Sequence, residues 1–514
     1  MKFSDDLYQL ISSLNQSEKR YIKLVAKAFT SKGTENQLAL FDAFDRQQQY
    51  NEDKIRKDFE DRIPPKNFHV AKNRLYNLIL KALYLYHLKS SEHEKINQLL
   101  YQSKILQKKG LYKQADALND KALQSAIKTE KFPLALIAHS NQANSFMEQR
   151  DLSKISTYLD RNLEAEYELL EQQKTYLTYQ YLQLKTLFIT HKQQAIRSEE
   201  EMAEIQSLKE HPLLKDPKFA KTKRAMDMYW FLNGFICRYE GNHEKAAEYW
   251  EEFVREIEAL KSIPKNRIEE YVSNLNNLMF LQLEALLFDK AWTNCQKMVD
   301  LLQHEHVKND AHLIVKVKER IIEFKLEYYL LSYQYKEALH YQTINQEEIN
   351  NIYDKVGDFR CLVIDYMQTS IYLCNQQPRD ASYMIEKVFA NKVLKQHQYI
   401  YSGAMIINLL IHFELGNYQL LESLLLNTYR MMYKRKLLYK SEKIVFKYLK
   451  KYLRIHTNQE IMESFKLLKQ ELQEVRADKF ERNFLPNFDL VVWIESKIQE
   501  KGMPEIILEG GLTL

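Results

Sequence analysis

The chain has 514 residues, is 45% hydrophobic, and contains only 10 Gly and 9 Pro. That composition can fill a continuous core and excludes a disordered or linker-like polypeptide. Lys and Arg number 74 against 69 Asp and Glu, and a formal charge of +5 is too small over this length for wholesale nucleic-acid binding.

The chain opens Met1-Lys-Phe-Ser-Asp-Asp6, with acids where a secretion leader carries bases and no apolar segment behind them. No run of about 18 apolar residues occurs, so no membrane span is expected. Cys237, Cys295, Cys361 and Cys374 form no CxxC pair. They are expected as small buried hydrophobes in a reducing, cytoplasmic setting.

Residues 1–92 predict a helical N-terminal domain, with helices over 5–13, 17–29, 35–47, 51–59 and 67–88. Ser17 and Asn51 are expected N-caps, each followed by acids that suit the positive end of a helix dipole. Residues 62–89 hold Arg62, Lys66, Lys72, Arg74, Lys81 and Lys89 with no acid among them. This helix either faces phosphates or buries its Val70, Leu75, Leu78, Ile79 and Leu83 side beneath a solvated basic face.

Residues 93–430 carry a recurring pattern. Gly110-Leu-Tyr-Lys-Gln-Ala115, Gly241-Asn-His-Glu-Lys-Ala246 and Gly416-Asn-Tyr-Gln-Leu-Leu421 share one spacing. Leu286-Leu-Phe-Asp-Lys-Ala291 and Tyr333-Gln-Tyr-Lys-Glu-Ala338 are looser copies. A break residue followed by an apolar, usually small, residue five on predicts a helix end, a tight turn and a closely packed second helix. The anchors are Ala115, Ile155, Ala203, Ala246, Ala291, Ala338, Ala381 and Leu421, at steps of 40, 48, 43, 45, 47, 43 and 40. Proline, which cannot sit inside a helix, falls between the periodic segments. With no alternating β-branched runs, the class is all-α. Residues 431–514 predict C-terminal helices that close the array: a basic helix, a second to about Phe480, a third within 488–501, and a polar, glycine-containing tail.

Trp230, Gly234, Gly241, His243, Ala246 and Trp250 resemble the tetratricopeptide repeat (TPR) family, with His243 in place of the usual tyrosine. The turn of Gly110, Tyr112, Ala115, Ala122 and Leu123 is similar, with Leu99 where the family has a ring. The steps exceed the family's repeat of about 34 residues, which implies longer helices or connections. The likeness covers about two-thirds of the chain. It implies a right-handed α-solenoid of TPR-like hairpins that binds proteins or peptides. The ends, Leu14-Asn-Gln-Ser-Glu-Lys-Arg-Tyr21 and Phe488-Asp-Leu-Val-Val-Trp-Ile-Glu-Ser-Lys497, resemble large uncharacterised bacterial helical-repeat proteins, a likeness that implies no function.

Enzyme signatures are missing: no phosphate-cradling glycine loop, no HExxH helix, no Gly-x-Ser-x-Gly elbow. Gly510-Gly511 is the only adjacent glycine pair, and His304-Glu-His306 is the only tight histidine cluster, expected in a loop. The expectation is a non-enzymatic scaffold without cofactor or metal.

Two partner surfaces follow. Counting back from the turns, the first helix of each pair presents Lys104, Asn141, Asn144, Arg238, Asn274, Asn277 and Glu327. Asn there can donate to and accept from an extended peptide backbone at once. Residues 430–454 hold ten bases and one acid, Glu442. Lys443, Lys447, Lys450 and Arg454 share a face opposite Ile444, Tyr448, Leu449 and Tyr452, which suits an acidic peptide or nucleic acid. Two alternatives remain to the scaffold. One is a bacterial regulator with an N-terminal output domain and a peptide-sensing solenoid, similar only in layout to peptide-responsive regulators. The other is a nucleic-acid-binding solenoid that uses the basic stripe.

Overall fold

A computed structural model describes residues 5–28, 34–47, 50–88, 92–193, 198–455, 457–476, 478, 480, 481, 485 and 487–509. Residues 1–4, Phe29, Lys89 and Gly510-Gly511, which carried expectations above, lie outside them. Of the described residues 82% are helical and none is in a strand. The all-α expectation therefore holds. Contacts divide the chain into two compact units, Met1–Lys174 and Thr175–Leu514.

In the first unit, α1 (Asp6–Ser13), α2 (Gln16–Ala28), α3 (Thr34–Asp45), α4 (Glu52–Asp58) and α5 (Phe68–His87) match the five predicted helices to within about two residues. They enclose Leu7, Ile11, Ile22, Phe41, Phe44, Phe68 and Ile79. Asn51 caps α4 as expected, accepting from the Lys54 backbone N–H at 3.0 Å. Ser17 does not cap α2. Asn15 accepts from the Glu18 N–H at 2.9 Å, and Glu18 accepts from the Asn15 N–H at 3.0 Å, a reciprocal capping box that starts the helix earlier. Lys72 is buried, with its ammonium 2.8 Å from Glu52. It is therefore not part of a solvated basic face.

The hairpins begin with α6 (Glu92–Lys108), α7 (Tyr112–Lys128) and α8 (Phe132–Gln149), each packed on the next. Then comes α9 (Leu152–Gln193), 42 residues without a break. Ala203 was expected to open a second helix near here, but it is exposed and lies inside α10 (Glu199–Lys209). The reason is that α9 contains no Gly or Pro to end it, so one long helix replaces a hairpin turn.

The second unit continues with α11 (Pro212–Lys215), α12 (Lys223–Tyr239), α13 (His243–Glu258), α14 (Ile268–Glu284), α15 (Phe288–Asp300), α16 (Ala311–Leu331), α17 (Tyr335–Ile344) and α18 (Gln346–Tyr353). It ends with α19 (Asp358–Cys374), α20 (Pro378–Ala390), α21 (Gln398–Glu414), α22 (Tyr418–Lys434), α23 (Lys440–Tyr452), α24 (Asn458–Arg476), α25 (Leu490–Ile498) and α26 (Met503–Leu508). Successive helices pack in pairs, and α14, α16, α19 and α21 also touch in turn.

One turn closes six of these pairs. Gly110, Gly241, Leu286, Tyr333, Gln376 and Gly416 have φ between 58° and 78°. The N–H that follows each reaches the carbonyl five residues back, as from Asn242 to Cys237 at 2.9 Å and from Gln334 to Tyr329 at 2.8 Å. This Schellman closure satisfies carbonyls that the helix end would leave open. Five residues beyond each break lie Ala115, Ala246, Ala291, Ala338, Ala381 and Leu421, all fully buried. The sequence pattern therefore marks real turns, including the two loose copies and Ala381.

The last helices fold back onto those turns. Tyr333 Oη donates to Asp489 at 3.0 Å, and Trp493 Nε1 donates to Glu414 at 2.6 Å. Residues 490–496 of α25 are all buried.

Candidate functional site

The second unit gathers charge along the helices that open its pairs. Arg238, in the last turn of α12, donates from Nε to Glu284 Oε2 at 2.9 Å, and His243 Nδ1 lies 3.1 Å from that oxygen. Glu284 closes α14. Two turns earlier on the same face of α14 stands Asn277, half-buried.

On α16, Glu319, Glu323 and Glu327 follow at four-residue spacing and form one stripe. Arg360, from the first turn of α19, donates from Nη1 to both Glu323 oxygens at 2.9 Å. Its Nε stands 3.5 Å from Glu319, and Arg320 Nε lies 3.4 Å from the other Glu319 oxygen. Glu327 takes no hydrogen bond or ion pair among the described residues.

Partners set the protonation of these acids. Burial would raise Glu284, but Arg238 and His243 outweigh it and hold its carboxyl at about 2. Burial, together with the neighbouring Glu323, pushes Glu319 up to about 8. Burial, with Glu323 and Glu284 nearby, pushes Glu327 up to about 8 as well. Solvent still reaches 43% of the Arg238 side chain and 26% of Glu284, so the cluster is crowded yet open. Such a surface can exchange an ion or hydrogen-bond partner without unfolding.

A raised carboxyl favours folding fully below its unfolded value of about 4.3, and that advantage is lost as pH climbs through the folded value near 8. Glu327→Gln removes the alkaline loss. Its melting temperature is expected to exceed the parent's at pH 9, with the gap shrinking towards pH 5. Parallel melting curves across that range would refute the environment assigned to Glu327.

The other expected residues scatter. Lys104 and Asn144 are exposed on α6 and α8 of the first unit. Asn141 is buried there, its amide 3.4 Å from Asn119 Oδ1. In the second unit Asn274 is buried on α14. Arg238 is engaged by Glu284. On α23, Lys443 and Lys450 are exposed, as is Arg454 in the turn just beyond it, while Lys447 pairs with Glu471 at 2.6 Å. Lys440 similarly pairs with Asp478, beyond the end of α24, at 2.7 Å, so Glu471 and Asp478 neutralise part of the stripe. His304 and His306 occupy the connection between α15 and α16, with ring centres 5.3 Å apart. The sequence reading missed Glu284, Glu319, Arg320, Glu323 and Arg360. The four-residue spacing of acids on α16 was the available signal.

A hollow of about 380 Å³ lies between α13, α14 and α15. Its polar groups bind one another: Lys297 to Glu258 at 2.9 Å and Asn294 to Gln282 at 2.9 Å. Comparison with protein-family models and with curated proteins yields no match.

Proposed function

We propose that the chain is a non-enzymatic protein- or peptide-binding scaffold, a right-handed solenoid of TPR-like hairpins whose second unit receives its partner along α12, α14, α16 and α19. The observation that carries this reading is the line of crowded, solvent-reached side chains from Arg238 and Asn277 to Glu327 and Arg360. Side chains from four helices converge there with hydrogen-bonding capacity left over, as an extended chain requires. The repeated turns support a binding array because each hairpin contributes one helix to a common face.

The exposed part of the basic stripe, Lys443, Lys450 and Arg454, supports a second surface for an acidic segment. Pairing of Lys440 with Asp478 and of Lys447 with Glu471 weakens the case for nucleic acid there.

Affinity capture with mass spectrometry tests both surfaces. Asn277→Glu combined with Glu327→Lys is expected to lose partners that the parent retains, with unchanged circular dichroism. Lys443→Glu, Lys447→Glu, Lys450→Glu and Arg454→Glu together are expected to keep them. Retention by the first variant and loss by the second would move the binding face to α23. Salt-sensitive capture of nucleic acid would replace the reading.

A further inference from the structure

A second hollow, of about 360 Å³, adjoins the first and shares Asp289 and Thr293 with it. Its other walls are Trp292, Tyr328, Tyr329 and Gln334, all within the second unit. Two of the repeated turns place them. The break at Leu286 leads into α15, so Asp289 and Trp292 stand about one turn apart on one side of that helix. The break at Tyr333 ends α16 and returns the Gln334 N–H to the Tyr329 carbonyl at 2.8 Å.

The three rings form one wall. Ring centres lie 4.8 Å apart for Trp292 and Tyr328, 5.6 Å for Tyr328 and Tyr329, and 6.2 Å for Trp292 and Tyr329. Phe288 and Phe324 back Tyr328 at 5.8 and 5.9 Å, so the wall is set before any ligand arrives. Trp292 is nonetheless 37% exposed.

The chemistry of this hollow selects a cation. Aromatic faces carry negative potential and attract positive groups. The Asp289 carboxylate is exposed and has no hydrogen bond or ion pair among the described residues. Burial, the neighbouring Tyr328 and the Glu337 carboxylate all push the Tyr329 phenol up, which puts a second acid within electrostatic reach. No base lines the hollow among the described residues. Lys325 lies outside that lining, its ammonium 5.7 Å from the Trp292 ring centre and 5.3 Å from that of Tyr341. The Asp289 and Glu337 carboxylates offset its like charge.

Shape narrows the cation further. A planar guanidinium stacks on an indole while its fork of donors reaches a carboxylate, and Asp289 and the Gln334 amide oxygen supply acceptors. A methylated ammonium would leave both acceptors unused. The volume is near the low end of ligand sites, about 300–1,000 Å³, which suits one side chain whose backbone stays outside.

We infer that this hollow receives an arginine side chain of a peptide partner, stacked on Trp292 and paired with Asp289.

Fluorine NMR of the full chain labelled with fluorotryptophan tests this. The chain has four tryptophans, and Trp292→Phe assigns the resonance of interest. Arginine capped at both ends as an amide is expected to shift that resonance saturably. Capped citrulline, its neutral counterpart, is expected to leave it in place. Asp289→Asn is expected to weaken the arginine response about fivefold, the upper end for an exposed charge pair, with unchanged circular dichroism. No shift with capped arginine, or an equal shift with citrulline, overturns the inference. Tighter binding of tetramethylammonium that ignores Asp289→Asn overturns the guanidinium. Much tighter binding of free than of capped arginine overturns the peptide and makes this a small-molecule site.

Discussion

Gly234→Ala is expected to destabilise the second unit by about 2 kcal/mol, although Ala is the better helix former. A Cβ built at Gly234 would stand 2.5 Å from Trp250 Cε3, 2.7 Å from Cζ3 and 3.3 Å from Tyr249 Cβ. The indole cannot swing away: Trp250 is 2% exposed and its ring centre lies 5.4 Å from that of Phe231. Overpacking of this kind costs roughly 1–3 kcal/mol, here at the upper end, and the helix-propensity gain of about 1 kcal/mol offsets only part of it. Gly357→Ala is the control, because nothing lies within 4 Å of a Cβ there. Urea unfolding monitored by Trp fluorescence measures both. Equal midpoints for Gly234→Ala and the parent would refute the close crossing of α12 and α13.

Arg360→Ala is expected to cost about 3 kcal/mol at neutral pH. It removes the donor to both Glu323 oxygens and leaves Glu319 and Glu323 with side chains only 4% and 8% exposed. Stranding a buried charge by deleting its partner costs roughly 3–5 kcal/mol, and the low end applies because Arg320 stays 3.4 Å from Glu319. The sign with pH follows. Without Arg360 the Glu319 carboxyl, already raised by burial, loses a neighbour that holds it down, so the defect is largest at alkaline pH and shrinks as Glu319 protonates on acidification. Denaturant midpoints at pH 5 and pH 8 check this. A loss that is the same at both would mean that Arg360 acts by packing alone.

The two effects differ in how visible they were beforehand. Gly234 belongs to the set Trp230, Gly234, Gly241, Ala246 and Trp250, whose spacing already implied a close crossing. Arg360 stands 37 residues from Glu323, and nothing local joins them. Likewise, acids spaced by four on α16 read equally well as a solvated face. Only the packing of α16 between α14 and α19 makes them a buried cluster.

What the sequence determined by itself was the turn. A left-handed break, a helix-end closure through backbone hydrogen bonds and a small residue five on are all local requirements, so spacing alone located Ala115, Ala246, Ala291, Ala338, Ala381 and Leu421. The all-α class follows from the same source, because breakers are rare and apolar residues recur at helical period. Tertiary structure decided the rest. It set which of two adequate caps starts α2, since Asn15 and Ser17 have similar intrinsic preference. It turned Lys72 inward to Glu52 and spent Lys447 on Glu471. It also left Ala203, where the spacing had placed the packed start of a second helix, exposed inside α10. Charge pairing and burial depend on what another helix brings, and that information is not local to any segment of the chain.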